Sequence, residues 1–109
     1  MSYEQALDVA RAPETAVVTG YFDPVTFEHA RRLADICAQS NCDRLIVFVT
    51  EPANPVLPAR ARCEILAAMA LVDAVAAAAL IPDVPNAYHE EEADRARTER
   101  LIHRVHARA

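Results

Sequence analysis

The sequence predicts one α/β domain, a small parallel sheet between helices in a three-layer α/β/α arrangement. Two short runs rich in β-branched residues, "TAVVTG" at 15–20 and "RLIVFVT" at 44–50, each precede a segment with helical spacing. A chain of 109 residues has room for one modest core, so residues 1–109 are read as a single domain. The third observation is Gly20, the only glycine, at the end of the first run. An average domain of this size carries about seven or eight.

The elements follow in order. "SYEQALDVAR" opens with Ser2 and has Gln5 three residues on, a capping-box pattern for a short helix. Residues 15–20 are a short buried strand. Residues 27–39 predict a helix whose Phe27, Ala30, Leu33, Ala34 and Cys37 face the core. Residues 44–50 suit a central parallel strand. "EPANPVLP" is a proline-rich loop, and "ARARCEILAAMALV" is a helix with Ile65, Leu66 and Met69 inward. "AVAAAALI" at 74–81 is a third strand, and "PDVPNAYHEEE" is loop. "DRARTERLIHRVHAR" is a last amphipathic helix with Leu101, Ile102 and Val105 on one side. Alternating strands and helices imply parallel pairing, with ligands beyond the carboxyl ends of the strands.

Composition sets bounds. Hydrophobic residues are 53% and charged residues 25%, as in a soluble globular domain. The net charge of -5, with no lysine, argues against nucleic acid as the main partner. The N-terminus has no basic start followed by an apolar core, and the longest apolar run is too short for a bilayer. No membrane partner is expected. Three cysteines without a C-x-x-C pair suggest reduced thiols and a cytoplasmic location.

Gly20 ends a strand, and the loop from Gly20 to Thr26 leads into a helix. A residue without a side chain lets another group or a ligand lie against the backbone there. Thr26 is a candidate N-cap, the first-turn amides suit phosphate, and His29 stands one turn in. "HEEE" at 89–92 reads as loop or helix start rather than a metal cluster, and His103 and His106 as surface groups.

At these residues "GYFDPVTFEH" resembles the G-x-F-D-P-x-[HT]-x-G-H signature of cytidylyltransferase-like nucleotidyltransferases. That group includes glycerol-phosphate cytidylyltransferases, phosphopantetheine adenylyltransferases and the adenylyltransferase half of heptose-phosphate enzymes. "DRLIVFVT" resembles the family's second strand, and "LPARARCEILAAMALVDAV" its P-x-x-x-R-x-x-x-L stretch, with Arg62 and Leu66 in place. The likeness covers about residues 15 to 82.

The resemblance implies a Rossmann-like domain, often a homodimer. It implies transfer of a nucleotidyl group from ATP or CTP to a small phosphorylated alcohol, with release of pyrophosphate and with Mg²⁺ present. The carried-over catalytic positions are Thr26 and His29. The nucleotide-binding positions are Gly20, Tyr21, Phe22, Asp23, Glu28, Arg62 and Thr98. Two features depart from the pattern. Glu28 stands where the family has a glycine, placing bulk and negative charge beside a triphosphate. The tail "ARTERLIHRV" keeps Thr98 but lacks the serine-rich run, leaving Arg95, Arg97 and Arg100 as phosphate contacts. A non-catalytic descendant that binds a nucleotide or a protein partner is the alternative.

Overall fold

The computed structural model describes residues 1–108, with side-chain surroundings through Val105. Four helices and four strands follow the order α1 (Tyr3–Ala10), β1 (Thr15–Gly20), α2 (Phe27–Ser40), β2 (Arg44–Val49), α3 (Ala59–Ala67), β3 (Ala74–Ala77), β4 (Tyr88–His89) and α4 (Glu91–Arg108). All strand pairs are parallel, in the order β3-β2-β1-β4. Thr15 pairs with Arg44 and Gly20 with Val49, while Val18 and Thr19 pair with Tyr88 and His89. The fold is the expected Rossmann-like three-layer α/β/α.

Both faces of the sheet are covered. Val18, Leu45, Val47 and Val49 pack with Leu33 and Ile36 of α2 and Leu66 of α3. On the other face Val17, Ile46 and Phe48 meet Ala6 and Ala10 of α1 and Val84. This two-sided burial is why β2 is a near-continuous apolar run rather than an alternating one.

Local chemistry sets the helix ends. At α1, Ser2 and Gln5 form the reciprocal capping box read from the sequence. Asn41 adopts a left-handed φ of 52° after α2, and the Cys42 N–H returns to the Cys37 carbonyl at 3.1 Å. That turn brings the two Cα atoms to 5.1 Å, and Cys37 and Cys42 are joined by a disulfide. This overturns the expectation of three reduced thiols. Cys63 is free, and burial pushes its thiol pKa up.

Other departures concern phase and length. Phe27 is 70% exposed, and the inward residues of α2 are His29, Leu33 and Ile36. Ile65 faces solvent, while Arg62 and Leu66 turn inward on α3. Leu101, Ile102 and Val105 share one side of α4 but are exposed. The segment expected to be loop contains β4, and α4 begins at Glu91 within "HEEE". His103 is exposed, and the side chain of His106 lies outside the described residues. No described helix is long and apolar enough to cross a membrane.

Glu14, just before β1, has a left-handed φ of 61°, and its carbonyl accepts the N–H groups of Asp43 and Arg44. A shared hydrogen bond and charge repulsion with Asp43 raise the Glu14 pKa. For an acid raised in the folded state, protonation favours folding. This contribution is complete below the ordinary glutamate value and is lost as pH rises through the raised one. Glu14→Asn removes the repulsion and suits the left-handed backbone. A small rise in melting temperature at neutral pH is expected, with a smaller difference between acidic and neutral buffers than in the wild type. Equal melting curves for both proteins at every pH would contradict this.

Candidate functional site

The chain runs β1, β2, β3 to one side of the sheet and then returns β4 to the other side of β1. The order therefore reverses between β1 and β4, the place where open parallel sheets form a crevice beyond the strand ends. The β1–α2 loop and the start of α4 meet at this point.

Gly20 has no positive φ, so its role is not conformational freedom. A Cβ on Gly20 would lie 2.6 Å from Asp94 Oδ2 and 2.7 Å from Phe22 Cε2. The glycine leaves room for a carboxylate and a ring of its own chain. Phe22 is fully buried, with a left-handed φ of 49°, an outlier for so bulky a residue. That conformation aims the Phe22 N–H at Asp94 Oδ2, 3.1 Å away.

Asp94 is 1% exposed and collects two further donors. Its Oδ1 lies 2.7 Å from both His29 Nε2 and Arg97 Nη1. His29 is also buried. It occupies the third position of α2, and its Nδ1 accepts the Thr26 N–H at 3.0 Å. An N–H can only donate, so the ring proton belongs on Nε2, where it donates to Asp94. Both ring nitrogens are thereby engaged within the chain. Thr26 is the N-cap residue of α2, as expected.

Glu28, on the first turn of α2, is half exposed. Its carboxylate lies 3.3 Å from Arg97 Nε and 3.9 Å from Arg100 Nη2. Arg97 thus joins Asp94 and Glu28. Glu28, Arg97 and Arg100 border a cleft of about 200 Å³ that Thr26, His29, Thr98 and Arg104 also line. Two of the arginines expected to meet phosphate are therefore paired with the glutamate that stands where the resembled signature has a glycine.

Asp23 and Arg62 hold loops. The buried Asp23 carboxylate accepts the N–H groups of Val56 at 2.6 Å and Leu57 at 2.8 Å, and its carbonyl accepts the Thr98 hydroxyl at 2.7 Å. Arg62 is fully buried and donates to the carbonyls of Leu57, Tyr21 and Thr50 and to Glu51. Tyr21, Asp23 and Thr98 line a second cleft of about 310 Å³, together with Asn54, Arg95 and Glu99. Of the sequence candidates, Thr26, Glu28, His29 and Thr98 share the first cleft, Tyr21, Asp23 and Thr98 share the second, Gly20 and Phe22 pack against Asp94, and Arg62 faces neither cleft.

Asp94 was not singled out in the sequence, and Glu91 was read only as loop or helix start within "HEEE". Glu91 is buried where α4 begins and accepts the hydroxyls of Thr19 and Thr50, both at 2.9 Å. The Thr19 hydroxyl proton goes to this carboxylate, so His89 Nδ1, 2.7 Å from Thr19 Oγ1, carries its own proton. Arg32 on α2 donates to Glu90 at 2.7 Å, and this hydrogen bond raises the Arg32 pKa. The start of α4 and the residue before it are therefore tied to β1, to the residue after β2 and to α2. The signal for Asp94 was indirect: a lone glycine at a strand end announces a close neighbour without naming it.

Among the described residues no three His, Cys, Asp or Glu side chains form a group that could hold a metal ion. Comparison with protein-family models, with curated proteins and with solved structures finds no match.

Proposed function

We propose that this chain is a nucleotidyltransferase-like domain that binds a nucleotide or a similar phosphorylated small molecule, without turnover in the conformation described. One observation carries the reading. Phe22 N–H, His29 Nε2 and the Arg97 guanidinium converge on a single buried anion, the Asp94 carboxylate. Donors so arranged suit a phosphate oxygen, and nucleotidyl transfer needs such donors aimed at the phosphate under attack. Here they are aimed at the chain's own carboxylate. The adjoining cleft, with Arg97, Arg100 and Arg104, supplies positive charge for further phosphates.

The enzymatic reading is favoured by that same arginine-lined cleft at the start of α2. In it, ATP or CTP donates a nucleotidyl group to a small phosphorylated alcohol, and Mg²⁺ arrives with the nucleotide's phosphates. The homodimer implied by the resemblance belongs to either reading, and sedimentation of the same samples tests it.

Calorimetric titration with ATP and CTP, with and without Mg²⁺, tests binding. Glu28→Gln frees Arg100 and the Nε side of Arg97, whose Nη1 stays on Asp94. An exposed pair is worth up to about 1 kcal/mol, so roughly fivefold tighter nucleotide binding is expected. Pyrophosphate release with a phosphorylated alcohol would establish the enzymatic reading. No binding of either nucleotide by either protein would overturn both.

A further inference from the structure

We propose that Asp94 is an intramolecular ligand of the β1–α2 loop, so that an oxyanion enters this site only when the Asp94 side chain leaves it. The inference rests on the anion-binding reading above and adds its control.

One buried carboxylate takes a backbone N–H, an imidazole N–H and a guanidinium, all within 3.1 Å. The space it fills is kept open by the absence of a side chain on Gly20. A phosphoryl oxygen seeking the same donors meets both an occupied volume and a negative charge. The two anions are therefore mutually exclusive.

The route of release follows from what is tied down. Glu90 and Glu91 fasten the first turn of α4 through Arg32, Thr19 and Thr50. The backbone of α4 at Asp94 is thus held, and the side chain is the part that moves. Two of its three partners, His29 and Arg97, also line the open cleft beside it. Rotation of Asp94 away from Phe22 hands these donors to whatever occupies that cleft. Arg97 bridges Asp94 to Glu28, so an anion that recruits Arg97 loosens both carboxylates together.

The test uses formate and inorganic phosphate, which carry no base. Asp94→Ala leaves the three donors around a space the size of a carboxylate. Each anion should raise the melting temperature of this variant well above a chloride control of equal ionic strength. The wild type should show no such rise. If Asp94→Ala does not fold, Asp94→Asn keeps the size and removes the charge. Its amide cannot satisfy all three donors, so phosphate should bind at least tenfold tighter than to the wild type. The His29 ring nitrogen signals should shift with phosphate in the variant at concentrations that leave the wild type unmoved. Equal phosphate affinity in wild type and variant, or no His29 response, overturns the proposal. Anion rescue without any nucleotide binding would defeat the nucleotide reading alone. Equal nucleotide affinity in wild type and Asp94→Asn would defeat this inference alone.

Discussion

Arg62→Ala is expected to lower the unfolding free energy by about 3 kcal/mol, a large share of the 5–15 kcal/mol typical of a domain. The side chain is fully buried and serves three segments at once. Its Nη1 holds the Tyr21 carbonyl after β1 at 2.9 Å and the Thr50 carbonyl after β2 at 3.0 Å. Its Nε holds the Leu57 carbonyl ahead of α3 at 3.1 Å, and Nη2 pairs with Glu51. Truncation leaves these acceptors without their donor. Breaking a buried pair from one side costs about 3–5 kcal/mol. Glu51 is half exposed and can rehydrate, which places the loss at the lower end. Arg62→Lys should recover little, because a compact ammonium cannot reproduce the planar fork. Urea unfolding followed by circular dichroism measures both variants. A loss below about 1 kcal/mol would mean that the loops hold themselves. If nucleotide affinity fell while stability stayed, Arg62 would be a ligand contact after all.

Arg62 also shows where sequence reasoning succeeds and where it stops. The strands at 15–20 and 44–49 were legible because β-branched runs buried on both faces have a local signature. The crossover helices were legible from their spacing. β4 was not, because two residues carry no period, and its pairing with Val18 and Thr19 depends on a chain reversal about 70 positions away. The phase of α2 was misread for a related reason. Its apolar spacing favoured Phe27, Ala30, Leu33, Ala34 and Cys37, yet of these only Leu33 is fully buried, and the helix turns His29 and Ile36 inward with it. A buried histidine needs a partner, and that partner, Asp94, is 65 residues distant. The position of Glu28 beside tail arginines was half legible. Its charge at the cleft was expected, but its pairing with Arg97 and Arg100 needed the placement of α4.

Gly20→Ala is expected to cost about 3 kcal/mol, a drop in melting temperature of roughly 10 °C or more for a domain near this size. The backbone itself does not object: Gly20 has no positive φ, and alanine in a strand would even reduce the entropy of the unfolded chain. The objection is steric. The new Cβ would stand 2.6 Å from Asp94 Oδ2 and 2.7 Å from the Phe22 ring. Neither neighbour yields easily. Phe22 is fully buried, and Asp94 is held by three donors. Moving the carboxylate breaks hydrogen bonds to two buried groups, and moving the ring disturbs the core beneath it. A double-mutant cycle separates the two obstacles. In an Asp94→Ala background one of them is gone, so Gly20→Ala should cost at least about 1 kcal/mol less than in the wild type, a coupling typical of residues in contact. If the cost is the same in both backgrounds, the Phe22 ring alone requires the glycine. A cycle with strong coupling would instead tie the one glycine of this sequence to the buried Asp94 carboxylate.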